Sequence, residues 1–382
     1  MINFDNASTT RPLEAVLELS MDINREFYAN PASLHMQGIL AEKEITSATK
    51  TLAGLIGIGS PNGALPEELV YTSGGTESNN LAIFGVCEAN LRRGKHIITT
   101  RSEHPAVSEV CKRLEQKGFE VTWLATDNEG KVDLSALAEE VRSDTILVSL
   151  MHVNNETGTL CDIVRAAEIV KAKNPSVVFH SDGVQAFGKY PATLKNIDLY
   201  SMSAHKIHGL RGIGALYVKK GTKLTPQIYG GGHQRGMRSG TENTAGICTF
   251  ALAAQQMYEN RETNFSHVSH LKSAMADIDL EDVFVNGDAE GSPYILNMSF
   301  VGVKAETLMH FLGQDGIYVS TGSACASSTS KNMLVHYGIG NERADSAIRF
   351  SFSHDNTLEE VEIVKESLIK HIKNLRLIRG RK

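Results

Sequence analysis

The sequence predicts an α/β protein: a large part with a mainly parallel central sheet flanked by helices, and a smaller α+β part. Three observations carry this. From Leu69 to Ser181, short apolar runs alternate with stretches of helical periodicity, as strand–helix units of a parallel sheet do. The alternation breaks at a glycine-rich run, Gly230 to Thr241, and a different mixture of helices and strands follows. At 382 residues the chain exceeds the usual single-domain size. The expected boundaries are 12–258 for the large domain, and 1–11 with 259–382 for the small one, the N-terminal segment folding back.

Taken in order, residues 12–27 and 33–57 read as helices. In the second, Leu34, Gly38, Ala41, Ile45, Ala48, Leu52 and Leu55 recur at helical spacing. Asn30-Pro31-Ala32 supplies a turn before it, and Ser33 suits the N-cap. Leu69 to Thr72 is a short strand that runs into Ser73-Gly74-Gly75-Thr76-Glu77-Ser78 and a helix carrying Leu81, Phe84 and Val86. Strands follow at 96–99, 119–124, 145–150, 177–181 and 197–202. Helices cover 105–117, with Pro105 suited to a first turn, then 134–141 and 161–173. Past the glycine-rich run, helices at 243–261, 264–276, 304–313 and 357–373 flank strands near 283–286, 294–300 and 347–352.

Composition excludes several classes. A hydrophobic content of 41% with 21% charged residues is that of a globular protein in water. The net charge of −6 argues against binding nucleic acid over the whole surface, and no direct nucleic-acid partner is expected. Arg376, Arg379, Arg381 and Lys382 form a basic end that reads as a local patch or as a last helical turn complementing the helix dipole. No apolar run spans a bilayer, and Met1-Ile2-Asn3-Phe4-Asp5 has no basic region before an apolar core. Neither a membrane partner nor a secretory signal is expected. Cys87, Cys111, Cys161, Cys248 and Cys325 are odd in number and without CxxC spacing, which is neither a disulfide framework nor a zinc site. The reading is a cytoplasmic protein with no metal.

Candidate chemistry centres on Ser203-Ala204-His205-Lys206-Ile207-His208-Gly209, where small residues and two histidines crowd a lysine after an apolar strand. A lysine that forms a Schiff base must lose its proton near neutral pH, which takes desolvation or neighbouring positive charge. A lysine snorkelling from a strand end is the plain alternative. The strand–glycine turn–helix at Gly74-Gly75-Thr76 presents free N–H groups to an anion, or is an ordinary cap; it is neither a Walker loop nor GxGxxG. Asp182 follows an apolar strand and reads as a partner for a cationic ring nitrogen or as an N-cap. His104, on a strand-to-helix turn, can stack on a planar group or be structural. Asn155 can donate to a ligand oxygen or cap a turn. All five positions fall at the carboxyl ends of strands, the ligand crevice of open α/β sheets. A phosphate cradle, a stacking ring, a carboxylate and an imine-forming lysine are what pyridoxal 5'-phosphate requires.

With these motifs the chain resembles the NifS/IscS-type cysteine desulfurases of aminotransferase class V, over nearly its whole length. The likeness includes Phe4-Asp5-Asn6-Ala7-Ser8-Thr9-Thr10, Asn30-Pro31-Ala32-Ser33, Thr72 to Asn79, His152-Val153-Asn154-Asn155-Glu156, Ser203 to Lys206, Gly230 to Thr241, and Ser323-Ala324-Cys325. The resemblance implies the fold type I of pyridoxal-phosphate enzymes, with Lys206 as the Schiff-base lysine, His104 stacked on the ring and Asp182 paired with its nitrogen. It implies Gln185 and Asn155 on the ring-hydroxyl side. Gly75, Thr76, Ser203 and His205 would lie around the phosphate, and Thr241 would reach the cofactor of a second subunit in a homodimer. Arg349, on a small-domain strand, is expected to grip the substrate carboxylate with two bonds. Cys325, in a small and polar loop at about 320–332, is the expected nucleophile that takes sulfur from L-cysteine as a persulfide. The sulfur would then pass to an acceptor protein of iron–sulfur cluster assembly or tRNA thiolation.

One stretch departs from the pattern: Ser328-Thr329-Ser330-Lys331-Asn332-Met333 replaces a Leu-Glu-Pro-Ser-like turn, and the chain ends soon after its last helix. That leaves the acceptor open. Selenocysteine lyase or another class V aminotransferase-like activity is the alternative on the same fold, and a non-catalytic sulfur-trafficking protein is a third reading. The loop thiol favours the desulfurase, since an aminotransferase has no use for it.

Overall fold

The computed structural model describes residues 1–57, 63–191, 193–321 and 333–380. Its strands are β1 (Ile2–Asn3), β2 (Leu69–Thr72), β3 (His96–Thr100), β4 (Glu120–Leu124), β5 (Thr145–Met151), β6 (Val178–Asp182), β7 (Leu199–Ser203), β8 (Gly214–Val218), β9 (Val283–Asn286), β10 (Ile295–Phe300), β11 (Ile317–Tyr318) and β12 (Ala347–Ser351). The helices are α1 (Glu14–Glu26), α2 (Met36–Ile56), α3 (Gly75–Ala89), α4 (Pro105–Gln116), α5 (Leu134–Glu140), α6 (Ile163–Lys173), α7 (Thr244–Glu259), α8 (Arg261–Ala276), α9 (Ala305–Gln314), α10 (Met333–His336), α11 (Asn341–Ala344) and α12 (Leu358–Gly380).

Apolar runs with helical crossovers between them build a seven-stranded sheet in the order β2-β8-β7-β6-β5-β3-β4. β8 is the exception to parallel pairing: it runs antiparallel to both β7 and β2. Residues 204–213 connect β7 to β8, too few for a helical crossover, so the chain must double back. That short connection carries Lys206. One face of the sheet is covered by α3 and α4, whose Leu81, Val86, Val107 and Leu114 pack with Ile97, Leu199 and Leu216. The other carries α1, α2, α6 and α7 through residues such as Val16, Leu52, Val170 and Phe250 against Val148, Phe179 and Tyr200.

The second core lies around the antiparallel sheet β12-β10-β9, with α8, α9 and α12 packed on it. The N-terminus joins this part. β1 pairs in parallel with β11, and Phe4 is fully buried with its ring 5.1 Å from that of Phe352. Burying a phenylalanine stabilises by about 1.5–3 kcal/mol, which explains why this short segment folds back. A few residues on, Thr10 and Leu13 donate to the carbonyls of His205 and His208, so the segment also touches the lysine connection.

Several local expectations are corrected. The second helix starts at Met36, and its cap is the His35 ring, which accepts from Gly38 N at 3.3 Å. Ser33 instead closes the preceding turn by donating its N–H to Asn30 O. α6 starts at Ile163 with Asp162 as its cap, and β7 starts at Leu199. β8, β11, α10 and α11 are additions to the expected elements. The glycine-rich run is docked on the sheet edge: Gln234 bonds both the N–H and C=O of Tyr71 in β2, and Arg235 donates to Leu69 O. These bonds satisfy an edge that is otherwise unpaired. Arg376 donates to the carbonyls of Val301 and Glu281, so it packs within the small part. Arg381 and Lys382 lie outside the described residues. No described helix is long and apolar enough to cross a membrane.

Candidate active site

Parallel pairing sends the carboxyl ends of β3, β5, β6 and β7 to one edge of the sheet, and β2, antiparallel to β8, ends there too. Register brings these ends side by side. Thr72 lies opposite Gly214, Gly214 opposite Ser203, Ser201 opposite Asp182, and Asp182 opposite Met151. The candidate residues leave the sheet along this edge.

Lys206 ends a single 3-10 turn, Ala204–Lys206, directly after β7. Its Nζ donates to the carbonyls of Ala7 at 2.6 Å and Ser8 at 2.7 Å. Gln185 shares the first acceptor: its Nε2 donates to Ala7 O at 2.9 Å, while its Oε1 faces Lys189 Nζ at 3.4 Å. Lys189 was not singled out from sequence, yet it is buried and placed four residues after Gln185 on the same tight turn. Burial, helped by the charge of Lys206, pushes the Lys189 amine down to about 7. His205 packs on the N-terminal segment, its Nδ1 3.2 Å from Thr9 Oγ1, and burial with the nearby cations lowers it to about 4.

Asp182 is 4% exposed. Its Oδ2 accepts from Asn79 Nδ2 at 2.7 Å and its Oδ1 from Val184 N at 3.0 Å. The carboxylate therefore caps the following turn, as one of its two sequence readings expects. Asn79 stands three residues after Thr76, on the inner side of the first turn of α3, and sequence reasoning gave it no role. His104 likewise caps α4, its Nδ1 accepting from Ala106 N at 3.0 Å, so its proton sits on Nε2. Burial lowers its pKa; Asp182 opposes that and Lys206 adds to it, so these three groups share one electrostatic environment. Glu103 beside it is fully buried, pushed up to about 8 by burial, and ties β3 to β5 by accepting from Met151 N.

The glycine turn sits where expected. Gly74 precedes α3, whose first N–H groups point off the helix end, with Gly75 at its start and Thr76 exposed in its first turn. A Cβ on Gly75 would come 2.6 Å from Val184 Cγ2, and one on Gly214 would come 2.7 Å from Gly74 Cα. The loop thus lies against both the Asp182 turn and the β7–β8 pair. Ser203 is fully buried there, its Oγ without a partner in the chain.

Asn154 rather than Asn155 caps the turn after β5, accepting from the N–H of Glu156 and Thr157. That leaves Asn155 Oδ1 buried and without a partner. The carbonyl of Asn155 accepts from Arg349 at 2.8 Å; the guanidinium also meets Asp5 at 2.8 Å and Ser8 Oγ at 2.7 Å, and its Nε has no partner. Arg349 therefore forms an ion pair with Asp5, and does so facing the same Ser8 whose carbonyl holds Lys206. Thr241 is exposed, with no hydrogen bond to the other candidates among the described residues. Cys325 and the loop from 322 to 332 lie outside the described residues. Cys87, Cys111 and Cys248 are free and buried and Cys161 is half-buried; burial raises all four thiols, Cys161 and Cys248 to about 12.

Buried polar atoms normally find partners, so Ser203 Oγ, Asn155 Oδ1 and Arg349 Nε mark where a polar ligand belongs. The family model "Aminotransferase class-V" matches residues 2–364. The chain is 42% identical to a "Cysteine desulfurase IscS" of Photorhabdus laumondii over 387 residues, 98% of this chain and 93% of that one. It is 38% identical to a protein of the same name from Clostridium botulinum over 385 residues, 98% of this chain and 95% of that one. Among solved structures, a "NIFS-LIKE PROTEIN" superposes with a TM-score of 0.91 at 36% identity, covering 97% of this chain and 99% of that one. The match runs through both sheets and every segment of the site edge, and on it the chain belongs to the aminotransferase class V family.

Proposed function

We propose that this protein is a pyridoxal 5'-phosphate-dependent cysteine desulfurase, converting L-cysteine to L-alanine and passing the sulfur, as a persulfide on Cys325, to an acceptor protein. The observation that carries this is the gathering of Asp182, Ser203, Lys206 and the Gly74–Gly75 turn on one sheet edge, with orphaned polar atoms between them. Those residues fit the cofactor. The amides of the first α3 turn, Gly75, Thr76, Ser203 and His205 would hold its phosphate, His104 its ring face, Asp182 its ring nitrogen, and Asn155 with Gln185 the hydroxyl side. When bound, the cofactor supplies an electron sink for charge developing at the substrate Cα.

The chain supplies the rest. Asp182, kept an acceptor by Asn79 and Val184, would hold the protonated ring nitrogen of the bound cofactor. Lys206 Nζ takes and returns the proton at Cα. His104 is a neutral imidazole with its proton on Nε2, available for transfer at the same face. Arg349 would bind the substrate carboxylate from its unpartnered Nε, the guanidinium being oriented by Asp5, Ser8 and Asn155. Cys325 sulfur, as thiolate, forms a bond to the substrate Sγ as the Cβ–Sγ bond breaks; the bonding pair passes to Cβ, which takes a proton, and alanine leaves. Burial keeps the four described thiols protonated, which leaves Cys325 as the suited nucleophile. We further assign 12–258 to the cofactor domain and 1–11 with 259–382 to the domain carrying Cys325. The setting is cytoplasmic, and the enzyme works as a homodimer that places exposed Thr241 at a second copy's site. The acceptor serves iron–sulfur assembly or tRNA thiolation.

The test is mass spectrometry of Cys325 after treatment with L-cysteine, with alanine and sulfide measured under a thiol reductant. One sulfur should add to Cys325, and Cys325→Ser should keep the cofactor but stop sulfur release. Release at the parent rate from Cys325→Ser would overturn the assignment, and Lys206→Ala should abolish both products.

A further inference from the structure

Three side chains beside the catalytic edge are not used by the reaction above: His208, in the lysine connection, and His354 and Asp355, in the turn after β12. Each offers one ligand atom, and these atoms lie within 4.8 Å of one another. The two rings stand 4.4 Å apart between centroids at 54°, and His354 Nε2 lies 3.4 Å from Asp355 Oδ1. His208 is buried, His354 half-buried and Asp355 exposed, so the cluster opens outward along one side.

The orientation of His208 is set by its surroundings. Its Nδ1 lies 2.9 Å from the carbonyl of Arg11, which can only accept, so Nδ1 carries the proton and Nε2 presents its lone pair. A backbone carbonyl on the far ring nitrogen is the usual support of a metal-binding histidine. The main chain is pinned as well: His208 has a φ of 62°, its N–H donates to Thr10 Oγ1 at 2.7 Å, and its carbonyl accepts from Leu13. A non-glycine residue holds that backbone region only when its neighbours impose it.

We propose that His208, His354 and Asp355 form a site for a divalent transition ion, Zn²⁺ or its surrogate Co²⁺, bridging the lysine connection and the turn after β12. Two imidazoles and one carboxylate suit these ions and are poor company for Mg²⁺ or Ca²⁺. At metal–ligand lengths of about 2.0–2.1 Å, ligand atoms in a tetrahedral shell stand about 3.3 Å apart. The outward-facing His354 and Asp355 can close the difference by side-chain rotation, with water as the fourth ligand. The ion would tie a residue two places beyond Lys206 to one five places beyond Arg349, and so set the spacing between the proton-transferring amine and the carboxylate grip. His208 lies far along the chain from the adjacent pair His354 and Asp355, which is why no ligand spacing was legible in the sequence. The site stands on its own geometry and does not depend on the reaction assigned above.

The test uses the cofactor-loaded full chain carrying Cys325→Ser, so that the loop thiol cannot bind metal. Stripped with chelator and then titrated with Co²⁺, it should take one ion per chain, with d–d bands of nitrogen–oxygen ligation, and Zn²⁺ should displace it. His354→Ala and Asp355→Ala should each weaken binding at least about 10-fold, as losing ligand support does. Absence of a bound ion, or equal binding in His354→Ala, overturns the proposal. His354 and Asp355 are the accessible pair, so their variants decide the matter even if His208→Gln fails to fold.

Discussion

Asn79 offers the sharpest check on how the site is held. Its Nδ2 donates to Asp182 Oδ2 at 2.7 Å, and both residues are buried, at 1% and 4% exposure. A hydrogen bond to a charged group contributes about 1.5–3 kcal/mol. In Asn79→Ala the carboxylate would keep only Val184 N–H. Part of the loss is offset, because Asn79 Oδ1 is itself buried without a partner and its removal relieves that defect. The net expectation for the apoenzyme is about 1–2 kcal/mol, or about 1–2.5 °C in thermal midpoint for a chain this large. Asn79→Leu, which fills the space without a donor, should fall by a similar amount and so separate the bond from a cavity effect. In an Asp182→Asn background the cost should shrink, because the remaining pair is neutral. Loading with cofactor should narrow the gap, since on the proposed assignment the ring nitrogen would partner the same carboxylate. Calorimetry of the apo and loaded forms reads all of this. Melting of both Asn79 variants within about 1 °C of the parent would refute the reasoning.

The acid side of the stability profile should be governed by buried histidines. Burial lowers His152 to about 4 and His180 to about 3, against about 6.5 in the unfolded chain, so the unfolded state binds protons first. Their stabilisation is present above about pH 6.5 and is lost as pH falls towards 4, at about 1.4 kcal/mol per pH unit for each. The melting point should drop between about pH 6.5 and 5, and His152→Gln should flatten that drop. Gly75→Ala should lower cofactor occupancy, because the new methyl meets Val184 at 2.6 Å. Adding Val184→Ala should restore occupancy, as read from cofactor absorbance after gel filtration. Restoration failing would place the defect in the backbone instead.

Much of the architecture was legible in the chain. Alternating apolar runs announced the parallel strands, because β3, β5, β6 and β7 are buried on both faces and leave no polar alternation to confuse the reading. The same strands, ended by Gly74-Gly75, His104, Asn155, Asp182 and Lys206, announced a shared edge, since parallel pairing permits nothing else. Local signals erred where a longer-range partner intervened. Ser33 suits a cap but is used by a turn, and the start of α2 falls to His35. β8 was missed because its direction depends on the short connection behind it, and the docking of the glycine-rich run depends on Gln234 pairing with Tyr71 of β2. Asn79, Lys189 and the Asp5–Arg349 pair have no sequence signature at all. Each acquires its role from a group distant in the chain, and only packing brings the two together. Residue types and their order along each strand set which chemistry is possible here; the three-dimensional fold decides which oxygen faces which nitrogen, because hydrogen-bond partners are chosen by distance in space and burial.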